Sequence, residues 1–126
     1  MKLIFTMLLA IVTMSNALAD WVRVFESESA TSYVDTGTIK IIGNKRIFSQ
    51  REELNTKDNY PIKSWQALWE YDCSKGQFRG KSMKIYSGPS ATGNIIFSSQ
   101  EVDTAPWKDV PIGSGVEVIK NFVCAK

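Results

Sequence analysis

SWQALWEYDCSKGQFRGKSMKIYS, residues 64–87, alternates apolar and polar side chains on both sides of Ser74-Lys75-Gly76. Alternation with a period of two is the mark of a half-buried strand, and a Gly between two such runs marks a hairpin. With Lys75-Gly76 as a two-residue turn, pairing outward sets Cys73 opposite Phe78, Asp72 opposite Arg79, Glu70 opposite Lys81 and Trp69 opposite Ser82. Two opposite-charge pairs then fall into register together, each worth about 0.2–1 kcal/mol, enough to select a register. Trp65, Ala67, Trp69, Tyr71 and Cys73 share one face, which reads as core; Gln66, Leu68, Glu70 and Asp72 share the other. The same register places Leu68 opposite Met83 and Gln66 opposite Ile85, beside Arg79 and Lys81. An apolar patch with a charged border is how a partner surface looks, so Gln66, Leu68, Arg79, Lys81, Met83 and Ile85 form the expected protein-binding face.

Further strands precede this hairpin. Trp21 to Phe25 alternates around Arg23, Ser32 to Asp35 ends at the turn of Gly37, and Thr38 to Ile42 and Lys45 to Gln50 flank Gly43-Asn44. Residues 51–63, with Glu52, Glu53, Lys57, Asp58, Asn59 and Pro61, read as an exposed polar loop. At the other end, Ser114-Gly115-Val116-Glu117 matches a capping box, and Val118, Ile119, Phe122 and Val123 recur at helical spacing. A helix over Gly115 to Cys124 is too short to persist alone and must dock. The predicted fold is α+β, mainly β: an antiparallel sheet of about six strands with one face covered by a C-terminal helix.

Composition agrees. From residue 20 onward the chain has 10 Ile and 8 Val but only 2 Leu and 1 Met, and β-branched side chains suit a pleated sheet. Before residue 20, Lys2, the apolar run Leu3 to Met14 and Ala17-Leu18-Ala19 form the pattern of a signal peptide over residues 1–19, leaving one domain over residues 20–126. No membrane span is expected after cleavage. No cysteine follows the expected cut, so no lipid anchor is expected there. Export is therefore expected, to a periplasm or to the cell surface. Cys73 and Cys124 both lie in the exported part, and an even count in an oxidising compartment points to a disulfide. It would close a loop of about 50 residues, worth about 4 kcal/mol in the chain-entropy model.

These residues resemble the surface-adhesin E family of bacterial envelope proteins. The resemblance rests on Trp69-Glu70-Tyr71-Asp72-Cys73, on Tyr86-Ser87-Gly88-Pro89 with Gly93 following, on Trp107 ahead of Pro111, Gly113 and Ser114, and on Cys124. The strand at Trp21 and the Tyr33-Val34-Asp35 segment fit as well. The family implies an antiparallel sheet packed on a C-terminal helix, a disulfide mapping onto Cys73 and Cys124, and adhesion to host extracellular-matrix or plasma proteins.

Chemistry narrows by exclusion. There is no histidine, which removes every mechanism needing an imidazole. Asp35-Thr36-Gly37 is the triplet of aspartic proteases, but the supporting segment should lie most of a domain downstream, and Ile41-Ile42-Gly43-Asn44 follows almost at once. Asp and Gly there supply a turn. Glu70 and Asp72 as a glycosidase pair conflict with their basic partners, which lower proton affinity, the wrong direction for a general acid. No Ser lies in Gly-x-Ser-x-Gly, and Gly88 to Gly93 lacks the Lys-Ser or Lys-Thr ending of a phosphate loop. With 15 basic against 13 acidic residues, the balance is too even for a nucleic-acid binder. Neither metal nor cofactor is expected. The reading is a non-enzymatic binding module whose partner is a protein, by resemblance a host matrix protein. The 51–63 loop and a second copy of the chain are the other candidate covers of the face, and a soluble periplasmic accessory or structural protein, binding another envelope component or itself, is the alternative role.

Overall fold

The computed structural model describes residues 18–57 and 59–126. The expected signal peptide lies outside the described residues except for Leu18 and Ala19, which have no regular structure. Eight strands follow: β1 (Trp21–Glu26), β2 (Ala30–Asp35), β3 (Lys40–Ile42), β4 (Lys45–Leu54), β5 (Ser64–Asp72), β6 (Gln77–Tyr86), β7 (Ile95–Ser98) and β8 (Lys108–Asp109). Among the described residues one α-helix, α1 (Gly115–Cys124), follows the strands. All pairings are antiparallel, in the order β1-β2-β4-β5-β6-β7, with the short β3 and β8 added to β4 and β6. The architecture is the mainly-β class expected, a sheet with one C-terminal helix.

Two stretches depart from the sequence expectation. Arg51 to Leu54 is not loop but the second half of β4, paired with β2 on one side and β5 on the other. Arg51 and Glu53 answer each other on the open sheet face: they lie 3.3 Å apart, and Arg51 stacks over Trp21 at 4.7 Å. The strand expected from Thr38 begins only at Lys40, because the expected Asp35-Thr36-Gly37 turn runs on as a 3₁₀ turn over Thr36–Thr38, where the Asp35 carboxylate accepts from the Gly37 amide and the Thr38 hydroxyl.

The β5–β6 hairpin corrects the expected register. Asp72 pairs with Gln77, Glu70 with Arg79 and Trp69 with Gly80, not with Arg79, Lys81 and Ser82. The turn spans four residues rather than two, because the Asp72 carboxylate accepts from the amides of Ser74 and Lys75 while Gly76, at φ +62°, donates its N–H to the Asp72 carbonyl. A bulge then shifts the pairing by one between Trp69 and Leu68, so Leu68 meets Ser82, Ala67 meets Met83 and Trp65 meets Ile85. One extra residue moves every later side chain of β6 to the opposite face. Gly80 leaves room at the bulge: a Cβ there would stand 3.3 Å from the Trp69 ring.

The core lies where the helix meets the sheet. Val34, Phe48, Tyr71, Ile119 and Val123 are buried together, with Trp69, Phe78 and Phe122 packed around them. Ser114 caps the helix as expected, its Oγ accepting from the Glu117 amide at 3.2 Å. At the C-terminal end, where carbonyls lack partners, Arg46 donates to the Val123 and Lys126 carbonyls, both at 3.2 Å. Cys124 is bonded to Cys73, with their Cα atoms 5.8 Å apart, so the helix end is tied to the β5–β6 turn.

Candidate interaction surface

The six residues expected to form one binding face are divided between two. Gln66, Leu68 and Arg79 lie on the face away from the helix, in register with Lys84, Ser82 and Glu70. Met83 and Ile85 pair with Ala67 and Trp65 and so belong to the helix-side face, the correction that the bulge imposes. Lys81 occupies the bulge itself, unpaired in the ladder.

The basic members of the set are engaged within the molecule. Arg79 donates through Nε to Glu70 Oε1 at 2.6 Å, and the Trp107 ring stacks 4.3 Å from its guanidinium. Lys81 is 7% exposed, and its Nζ donates to Asp103 Oδ1 at 2.7 Å. That hydrogen bond raises the Lys81 pKa and holds the Asp103 carboxyl below its usual range. These charges fix the 99–107 segment to β6: Val102 N donates to the Lys81 carbonyl and Ser99 N to the Met83 carbonyl, both at 2.9 Å.

The open apolar surface lies next to them. β7 pairs with β6 through Ile85–Phe97 and Tyr86–Ile95, and no described strand covers its outer edge. Ile95, Ile96 and Phe97 are 54%, 49% and 51% exposed, and Val102 nearby is 46% exposed. Three consecutive apolar side chains at half exposure mean that both faces of this edge strand meet water, with its free backbone groups between them. The sequence expectation missed β7, although Ile95-Ile96-Phe97 directly after Gly93-Asn94 is a β-branched run behind a turn. No described helix is long and apolar enough to cross a membrane.

Comparison with known proteins places this geometry. A family model described as surface-adhesin protein E matches residues 21–125. Crystal form II of Haemophilus influenzae protein E is similar in fold, with a TM-score of 0.64 at 12% identity over 87% of this chain and 94% of that one. Protein E from non-typeable Haemophilus influenzae superposes with a TM-score of 0.58 at 10% identity over 88% of this chain and 79% of that one. No curated protein matches in sequence.

Proposed function

The chain belongs to the surface-adhesin protein E family, a family of bacterial surface proteins, and from that premise we propose that it is an exported, non-enzymatic module that holds a protein partner on the β6–β7 end of its sheet. The observation that supports this reading is the run Ile95-Ile96-Phe97, half exposed on an edge strand with unpaired backbone groups. Apolar side chains flanking a free strand edge offer a partner both burial and main-chain hydrogen bonds. Ile85, nominated from the sequence for the opposite face, adjoins this strand through its pairing with Phe97, and Met83, nominated with it, accepts from the amide of Ser99 just past the strand. Gln66 and Leu68 stay on the reverse face, and Arg79 and Lys81 hold the edge in shape rather than meet the partner.

By family, the partner is a host extracellular-matrix or plasma protein. The test is binding of the purified protein to a panel of such proteins, with Ile96→Lys and Phe97→Lys alongside Gln66→Glu on the reverse face. Loss of binding in the β7 variants, with binding kept in Gln66→Glu, is the expected outcome; β7 variants that bind every partner normally would sink this choice of surface. Shaving intact source cells with protease decides the compartment. Cleavage supports display at the surface, whereas a protected periplasmic pool would make this an accessory protein inside the envelope.

A further inference from the structure

Between the first turn of α1 and the helix-side face of the sheet lies a cavity of about 300 Å³, separate from the β7 edge. Its roof is Gly115, Val116 and Ile119; its walls include Phe25, Trp65, Trp69 and Phe78. This volume is at the small end of ligand sites, which are apolar chambers with a few converging polar groups. Here the polar groups, besides Ser27, are Ser32, Gln50 and Glu52, side by side on β2 and β4.

Gln50 is 5% exposed and lines the chamber. Among the described residues Glu52 has no basic partner; its one hydrogen bond is from Ser32 Oγ, long at 3.4 Å. Among the described residues no Lys or Arg lines the chamber, and burial pushes the Glu52 carboxyl above its usual pKa against the weaker pull of Ser32. Tyr71, also in the lining, is pushed upward by burial and stays neutral. The indole N–H of Trp69, on the adjoining wall, has no partner among the described residues. At the helix N-terminus Ser114 Oγ accepts from the Glu117 amide at 3.2 Å and the Glu117 carboxylate accepts from the Gly113 amide at 3.4 Å, so this end of the helix carries an acid of its own. A carboxylate without a counter-ion, faced by aromatic rings, is the environment that holds an organic cation: the charge meets the carboxylate and the ring faces, and the hydrocarbon meets the walls.

We infer that this cavity binds a small organic ammonium ion with an apolar body, its charge on Glu52 and its hydrocarbon against Trp65 and Phe25. Gln50 then supplies an acceptor to a second N–H. The site is independent of the β7 surface, so either assignment can fail alone.

The experiment is a titration of the disulfide-bonded protein with 2-phenylethylammonium, followed by amide and indole NMR shifts, with 2-phenylethanol as the uncharged counterpart. Saturable shifts at the Trp65 indole and at Val116 and Ile119 are expected, with the amine bound more tightly than the alcohol. Glu52→Gln preserves shape and removes only the charge; it should weaken the amine by about tenfold and leave the alcohol unchanged. Ile96→Lys should bind the amine as the parent does. Absence of saturable shifts, shifts confined to β7, or equal amine affinity in a folded Glu52→Gln would each overturn the inference.

Discussion

Where β2, β4 and β5 run side by side, Val34, Phe48 and Tyr71 are at most 1% exposed, whereas two strands further along the same sheet Ile95, Ile96 and Phe97 are each about half exposed. Residue type does not separate these regions, since both are β-branched and aromatic. Coverage does. The first has strands on both sides and a helix fixed across it by Cys73–Cys124 and Arg46; the second is a four-residue strand at the edge, beyond the helix. Apolar residues under the helix stabilise the fold, and those beyond it remain available to a partner.

That difference can be broken from either side. Replacing both Cys73 and Cys124 with Ala should cost the most, about 4 kcal/mol, read as a lowered denaturation midpoint without change in the folded far-UV spectrum. Ile119→Ala, on the helix and 3% exposed, should cost about 3 kcal/mol in the same assay, because the cavity it leaves is walled by Phe48 and Tyr71. Asp72→Asn should cost about 1 kcal/mol and change the acid limb. Burial pushes the Asp72 carboxyl up, but hydrogen bonds from Ser74 and Lys75 and the Lys75 charge outweigh it and hold the pKa below its usual value. The folded pKa being the lower one, this contribution is complete above the unfolded Asp range near about pH 4 and is lost as pH falls through the folded value. Stability of the Asn variant should therefore vary less over that window. Ile96→Lys should move stability by less than about 0.5 kcal/mol while abolishing partner binding; a large loss of stability there would mean that β7 belongs with the core after all.

Much of this was readable in the residues. Trp65, Trp69 and Tyr71 on the helix side of β5, the Gly43-Asn44 hairpin, the Ser114 cap and the helix bounds all follow from local pattern, and the structure has each of them. The candidate surface was readable only in part. Pattern alone puts Met83 and Ile85 in the apolar patch away from the helix; the structure puts them on the other face, because a bulge at Lys81 has no signature beyond Gly80. Arg79 and Lys81 read as paired cations and are paired, but Arg79 with Glu70 rather than Asp72, and Lys81 with Asp103, 22 residues away, rather than with a residue across the hairpin. Trp107 and Trp21 could not be placed by pattern because each is held by an Arg from another strand.

By itself the sequence determined the strand-rich composition, the alternation of β5, the capped helix and the pair of cysteines, because each depends on neighbours within a few positions or on a simple count. Tertiary structure alone decided the register beyond the turn, the charge partners and the setting of Glu52, which as a residue of an apparent loop became the unpaired carboxylate of an aromatic chamber. The physical reason is that a hydrogen-bonded ladder transmits a one-residue shift along its whole length, and a carboxylate's environment is set by whichever strands and helix surround it, none of them adjacent in the chain.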